Sequence, residues 1–527
     1  MTEKEKKLKR IIVILVISML LLIGGTFAYF MAQTKDEANV DVDMISDKLD
    51  NLTYTVDKNI NLLVNQFNLA SGEDNVTDTS TATVSFIANQ TSKSAEAYYN
   101  IYFYIESNPY IYTTEEKKPE IILNIYDVNN NEVTSIEGLD YVSAENANGE
   151  TINGFDITEK VGLYTVSLNT KITSNSSITA TKQTWKVKLT FVNLTSNQVA
   201  NENKKLTARM ILNDKTYKTK ITEVCQNGDN LANCIIALSD GSESIAANIY
   251  HHDGTLENGI NDGSYRYAGP SNAVNNFVCF GSDVSPCPED NLYRIIGVID
   301  GRVKLIKYDY ANSNLLGTNG DYASSTIPDF SHYKGKSKSV SIYYWNYKAL
   351  GNASNVWDTS LLNKTNLNTN FVNNIGSKWS DKIATVRWKV GGNINKNIRY
   401  VIPSIAYQNE IVNPTDNTSY NAKIGLIYVS DYYYGVVPIL WTLLGYDDSI
   451  KDYRTATRDN WIYMGYPEWT ITRNSSGLND SFMISKSGAI GDYYTYYELG
   501  IRPSFSLVSS ISYMSGTGTQ SDPIIIE

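Results

Sequence analysis

LYRIIGVIDGRVKLIKYDY, residues 292–310, decides how the larger part of this 527-residue chain is read. Two runs rich in β-branched and aromatic residues flank Asp300-Gly301. An Asp-Gly pair accepts the positive φ angles of a type I′ turn, whose twist matches that of paired strands. The stretch therefore predicts an antiparallel hairpin, and with it a sheet. Further strands are expected at 424–429, 469–472, 482–485 and 503–507. Residues 357–373, WDTSLLNKTNLNTNFVN, read as a helix capped by Asp358. The domain spanning 291–527 is expected to mix many short strands with about two helices.

Towards the N-terminus the apolar period becomes two. In YYNIYFYIE (98–106), Tyr99, Ile101, Phe103 and Ile105 alternate with Asn100, Tyr102, Tyr104 and Glu106. In TWKVKLTFVN (184–193), Trp185, Val187, Leu189 and Phe191 alternate with Lys186, Lys188 and Thr190. Successive side chains of a strand point to opposite faces, so this alternation predicts half-buried strands. Others are expected near 82–88, 120–126, 163–172 and 206–213, with turns at Asn129-Asn130-Asn131 and 174–177. Short strands with frequent turns imply an immunoglobulin-like β-sandwich over 36–218.

Between these domains, residues 219–290 are rich in Asn, Asp, Gly and Ser and read as a connector. All four cysteines lie there: Cys225, Cys234, Cys279 and Cys287. Four cysteines allow three pairings. The two local loops, Cys225 with Cys234 and Cys279 with Cys287, are the favoured ones in an exported chain. Zinc-ligand pairs usually sit two to four residues apart, and neither pair does. No metal and no cofactor is expected.

The compartment follows from the N-terminus. Five basic residues precede IIVILVISMLLLI (11–23), which has no charge. This is how a secretory signal begins, and the positive flank stays in the cytoplasm. Thr26-Phe27-Ala28 suits cleavage between Ala28 and Tyr29. The uncharged run continues to Ala32, and roughly 20 such residues can span a bilayer. Residues 1–35 are thus a signal peptide or a single transmembrane anchor holding the membrane through 11–32. Both readings export the rest of the chain.

Composition narrows the function classes. Charged residues are only 19%, and the formal net charge is −11, which argues against nucleic acid because phosphate binding wants a basic patch. Tyr numbers 39 against 13 Phe, so large rings with polar tips are abundant.

Two stretches carry resemblances. Gly24, Gly25, Thr26, Ala28 and Phe30 fit a G-[GS]-T-x-A-x-F border, so the N-terminus resembles the camelysin and biofilm-fibre family of Gram-positive bacteria. That family usually continues with a polar Thr/Asp turn, where this chain has Met31-Ala32-Gln33. The resemblance implies a surface or matrix protein. Further on, SYRYAG (264–269), NNFVCFGSD (275–283), LYRIIGV (292–298), KIGLIYVSDY (423–432), EWTIT (468–472) and GIRPSF (500–505) recur in order. This set is similar to an extracellular module of Gram-positive gut bacteria, related in pattern to C-type-lectin-like and formylglycine-generating-enzyme-like folds. It implies a C-type-lectin-like domain in which the late arginine, Arg502, ties the core together. Formylglycine-generating chemistry needs redox cysteines, and none follows Cys287.

Catalytic candidates are sparse. The histidines are His251, His252 and His332, and none sits beside a recognisable nucleophile. The loop DGTLENGINDG (253–263) offers oxygens for calcium but lacks EF-hand spacing. Asp431, Glu468, Asp480, Asp492 and Glu498 could supply a hydrolytic pair. Aromatic residues are the stronger hint. Seven of the eight Trp lie in the last domain, as do the runs Tyr432-Tyr433-Tyr434 and Tyr493, Tyr494, Tyr496, Tyr497. Exposed rings are rigid and lose little entropy on contact. The expected function is non-catalytic: adhesion to a glycan or a surface protein through these tyrosines, on the surface of a Gram-positive bacterium. The alternatives are a fibre-forming matrix protein and a carboxylate-dependent hydrolase.

Overall fold

A computed structural model describes residues 52–65, 75–88, 95–176, 178–240, 247–326, 339–349, 351–394, 403–413, 419–436, 438–441 and 459–527. The leader, with Ala28 and Tyr29, lies outside the described residues. Among the described residues no helix is long and apolar enough to cross a membrane. The chain is mostly β and forms two compact units, the first ending at Lys215 and the second comprising Thr216–Glu527 together with the short stretch Lys160–Leu163.

The first unit holds two antiparallel sheets. One has the order Leu52–Val56, Val76–Phe86, Thr181–Phe191, Ile121–Tyr126, Thr151–Asp156 and Asp140–Glu145. The other runs Ile60–Val64, Lys204–Asn213, Ala95–Ser107 and Gly162–Ser174. The chain changes sheet at Asp57–Asn59. The sheets meet through their inner residues: the Trp185 indole N–H donates to the Tyr99 hydroxyl at 3.1 Å, and the Tyr110 ring packs on Phe191 at 5.6 Å.

Alternation holds from Trp185 to Leu189 on the strand Thr181–Phe191, where Trp185, Val187 and Leu189 are buried, Lys186 is exposed and Lys188 half-buried, but it ends at Thr190, expected outward, which is buried beside Phe191. It fails on Ala95–Ser107, where Asn100, Tyr102 and Tyr104 are buried as well. The chain beyond the last strand covers this outer face. Asn100 Nδ2 and the Tyr102 hydroxyl both donate to the Lys215 carbonyl, at 2.8 and 3.0 Å, and the Arg209 guanidinium lies over the Tyr104 ring.

In the second unit the expected hairpin forms as Leu292–Ile299 and Arg302–Lys307, with Asp300 and Gly301 at φ of 49° and 69°. It centres a sheet ordered Ile249–His251, Tyr265–Tyr267, Leu292–Ile299, Arg302–Lys307, Ser504–Ser506 and Ile424–Gly425, with Phe277–Cys279 beside Leu292–Ile299. A second sheet runs Tyr322–Thr326, Val340–Tyr343, Leu499–Gly500, Glu468–Asn474, Asp480–Ile484 and Ile490–Tyr494.

Residues 219–290 belong to this second unit rather than to a connector. They contribute a helix, Leu231–Asp240, capped by Asn230 Oδ1 accepting from the Asn233 N–H. Leu231, Ile235 and Leu238 enter the same core as Trp345 and Trp469. Their polar composition lies in the turns, while the few apolar residues face inward. Cys225 pairs with Cys234 and Cys279 with Cys287, with Cα–Cα distances of 5.4 and 5.9 Å. Two disulfides fit an oxidising, extracytoplasmic compartment.

The helix expected over 357–373 begins later, after a short 3₁₀ turn at Trp357–Thr359, and continues through Leu362–Phe371 to Val372–Asn374. Its cap is Ser360, whose Oγ accepts from the Asn363 N–H at 3.1 Å, not Asp358. The strand expected over 424–429 stops at Gly425, because residues Val429–Tyr433 turn into a short helix.

Glu468 and Arg502 form a fully buried pair joined by two bonds, Nε to Oε2 at 2.6 Å and Nη2 to Oε1 at 2.5 Å. Arg502 Nη2 also donates to the Ile462 carbonyl. Removing one partner of a buried pair strands a charge away from water. Arg502→Met is therefore expected to destabilise the second unit by about 3–5 kcal/mol, read as a lowered urea midpoint by tryptophan fluorescence. Adding Glu468→Met should recover much of the loss. A single-variant loss below about 1 kcal/mol would show that the pair is dispensable.

Candidate binding surface

The two tyrosine runs have opposite fates. Tyr432, Tyr433 and Tyr434 are 0–1% exposed, so they are not a contact surface. They lie on and just after the short helix Val429–Tyr433, packed into the core. The Tyr432 hydroxyl donates to the Gly488 carbonyl and that of Tyr434 to the Asn258 carbonyl. Three consecutive rings on a helical turn cannot all face solvent when the surrounding chain closes over it.

Tyr493, Tyr494, Tyr496 and Tyr497 are 39–47% exposed. They sit where the strand Ile490–Tyr494 ends in a turn closed by the Tyr497 N–H donating to the Tyr494 carbonyl. Tyr494 and Tyr496 are stacked, with centroids 5.2 Å apart and planes 7° from parallel. Tyr497 lies 5.2 Å from both Tyr493 and Tyr496. The surface continues through Tyr347, 6.2 Å from Tyr496, to Tyr344, 5.1 Å from Tyr347.

Thr495, fully buried between the exposed rings, anchors them. Its N–H donates to the Asn479 carbonyl, its carbonyl accepts from the Trp345 N–H, and its Oγ1 accepts from the Ser354 N–H. The rings are thus held by the core beneath them rather than displayed on a loose loop. Tyr344 and Tyr347 were not singled out from sequence; they join the surface only because the strand Val340–Tyr343 and the strand Leu499–Gly500 are neighbours.

The tryptophans, by contrast, are core residues. All seven in this unit are at most 7% exposed. Indole N–H groups of Trp345, Trp441, Trp461 and Trp469 donate to the carbonyls of Thr470, Val436, Tyr267 and Tyr343 at 2.8–3.0 Å. A buried indole favours such an acceptor, and the bonds of Trp345, Trp461 and Trp469 tie together segments more than a hundred residues apart, while the buried Trp357 indole N–H has no partner among the described residues.

Asp431 and Glu468, singled out as possible hydrolytic carboxylates, are both engaged by cations. Asp431 accepts from Arg266 Nη1 at 2.8 Å, Lys304 Nζ at 2.5 Å and the Tyr428 N–H at 3.0 Å. Burial alone would push the Asp431 carboxyl up, but Lys304 and Arg266 hold it below the usual carboxylate range. Asp492 accepts from Asn474 Nδ2, and Glu498 from the Tyr344 hydroxyl. Burial and the neighbouring Asp492 charge push the Asp480 carboxyl up.

The remaining polar candidates are also committed. His252 is buried, its Nδ1 accepts from the Ile260 N–H, and its ring stands edge-on to Tyr434. Burial, then the Arg266 charge, pulls it down to about 3, so it stays neutral. His251 stacks on Tyr265, with centroids 4.1 Å apart. His332 lies outside the described residues. In the 253–263 loop, Asp253 Oδ1 accepts from the Thr255 N–H and hydroxyl, and Asp262 from Ser264, Arg266 and Tyr407. Among the described residues one group of ligand-type atoms is close enough to share an ion, Cys225, Asp229 and Cys234, and its two sulfurs are bonded to each other.

Glu410 is the carboxylate that sequence reading missed. It is fully buried with no ion-pair partner among the described residues, and it accepts from the Ser430 N–H and hydroxyl and from the Thr472 hydroxyl. Burial pushes it up to about 7, against those hydrogen bonds. Its ordinary value is 4.5, so the unfolded chain releases this proton first as pH rises. Stability is therefore lost between about pH 4.5 and 7, by roughly 3 kcal/mol in full. Below pH 6.5 His252 tilts stability the opposite way, in wild type and variant alike. Glu410→Gln stays neutral throughout. Its melting temperature relative to wild type should rise from pH 5 to pH 8, on the order of 5–10 °C. A constant difference across that range would show that Glu410 does not titrate there. No protein-family model matches the chain, and no curated protein is significantly similar to it.

Proposed function

We propose that this chain is an exported surface protein of a Gram-positive bacterium that binds a glycan without catalysis, through the surface built by Tyr493, Tyr494, Tyr496 and Tyr497. In this reading the first unit is an immunoglobulin-like sandwich and the second a C-type-lectin-like domain. The observation that carries it is the stacked, half-exposed tyrosine cluster pinned by the buried Thr495. A monomeric soluble protein rarely leaves large rings contiguous on its surface without a contact to make. Tyrosine offers a flat apolar face for a sugar ring and a hydroxyl for its polar edge, at low entropic cost. Anchoring through the backbone of the core means that the rings need little ordering on binding, which favours affinity. The disulfides and the N-terminal pattern of an exported chain support this reading, because glycans are abundant outside the cell.

The full chain in detergent, applied to a glycan array, should bind a subset of glycans. The double variant Tyr493→Ala, Tyr496→Ala should weaken that binding by about tenfold or more, because truncated aromatic anchors typically cost over 1 kcal/mol each. Its melting temperature should change little, since both rings are exposed. Unchanged binding would sink the proposed surface; binding to a surface protein and to no glycan would sink the glycan assignment.

A further inference from the structure

A separate concave site lies on the first sheet of the second unit and shares no residue with the tyrosine surface. Arg266, Gly297, Lys304 and Ser506 stand opposite one another across four neighbouring strands. A Cβ on Gly297 would meet the Tyr265 carbonyl oxygen at 2.1 Å, so only glycine allows the strands this approach. The two cations of the row converge on Asp431. Arg302 is two residues before Lys304 and so shares its face. The antiparallel strand pair Val386–Lys389 and Ser419–Ala422 adds Arg387 and Lys389. Arg266, Arg302, Lys304, Arg387, Lys389 and Ser506 border a cleft of about 230 Å³. Its five cations face Asp300 and Asp431 in the lining, and Arg266 also pairs with Asp262 just behind it, which leaves an excess of two positive charges in a chain whose net charge is −11.

The donors of this cleft are unequally spent. Arg266 and Lys304 are buried and held by Asp431. Arg387 commits its Nε to Ser419 Oγ at 2.8 Å, and its two terminal nitrogens have no partner among the described residues. The Lys389 Nζ gives one bond among the described residues, to the Ile411 carbonyl at 3.0 Å. Arg302 has no side-chain hydrogen bond or ion pair among the described residues. A guanidinium carries five donors in a planar fork that matches carboxylate and phosphate oxygens. Beside these cations the cleft is lined by Trp388, Tyr407 and Tyr428. Trp388 rests so closely on Gly425 that a Cβ there would sit 2.8 Å from its ring.

We propose that this cleft binds one oxyanion-bearing ring, an acidic sugar unit carrying a carboxylate or a phosphate. Its anion sits on Arg302, Arg387 and Lys389, and its ring lies against the half-buried side chains of Ile299, Val386 and Ile411. The volume is below the roughly 300–1,000 Å³ of sites for drug-sized ligands, which suits one sugar-sized unit. Local positive charge in an acidic protein raises the local concentration of anions at the cleft and disfavours neutral competitors.

The full chain is titrated with glucuronate, glucose 1-phosphate and glucose, followed by saturation-transfer NMR. At least one of the two anions should bind, about tenfold or more tightly than glucose, and added salt should weaken it. Binding of glucuronate alone assigns a carboxylate ligand; binding of glucose 1-phosphate alone assigns a phosphate. Arg302→Gln should weaken that binding about tenfold while leaving the melting temperature unchanged, because no partner is lost. Arg387→Gln provides the second variant, with a similar loss. The proposal is overturned if neither anion binds, if glucose binds equally well, or if both variants bind as wild type does.

Discussion

The second unit depends on the buried pair between Arg502 and Glu468. The chain leaves one sheet at Leu499–Gly500 and joins the other at Ser504–Ser506, and Arg502 stands at that crossing. Its fork grips Glu468, the first residue of the strand that lies beside Leu499–Gly500. Two charges taken from water repay their desolvation only when the geometry is good and the remaining donors are satisfied. The two-pronged contact meets the first condition, and the Ile462 carbonyl takes a further bond from Nη2. The pair therefore specifies one way of joining the two sheets.

Both candidate sites grow from that junction. On one side, Glu468–Asn474 pairs with Asp480–Ile484, which pairs with the strand that ends in the tyrosine cluster. On the other, Ser504–Ser506 pairs with Arg302–Lys307, which carries the cations of the cleft. The interior between them is unusually polar for a core. Asp431, Glu410, Arg266, Lys304 and Arg294 are all buried there. Arg294 has carbonyl and amide acceptors instead of a carboxylate, and its guanidinium lies between the rings of Phe277 and Trp461. Such groups are costly unless satisfied, so each restricts how the surrounding strands can pack.

Much of the local structure was legible. The Asp300-Gly301 turn needs positive φ at two successive positions, and few residue pairs accept that. The alternation in 185–189 follows from the strand period. The disulfides followed from short loops, which bring their cysteines together at small entropic cost. What could not be read was how segments far apart in sequence cover one another. Tyr102 and Tyr104 read as outward, and are buried because the Lys215 backbone returns over Tyr102 and the Arg209 guanidinium lies over Tyr104. Residues 219–290 read as a connector because their polar composition conceals a few inward-facing residues. Tyr432–Tyr434 and Tyr493–Tyr497 look alike as strings, and only the packing around them separates core from surface.

Local chemistry was enough to read the β-rich character, the hairpin at its centre and the aromatic character of the second unit, and to favour the cysteine pairs that form. These depend on contacts between near neighbours, and local chemistry suffices for them. Tertiary structure alone decided which tyrosines face solvent, which carboxylates are neutralised by cations, and where five basic side chains meet. Each of those outcomes depends on residues separated by up to more than a hundred positions, as Arg266 and Asp431 are, and no local pattern encodes their meeting.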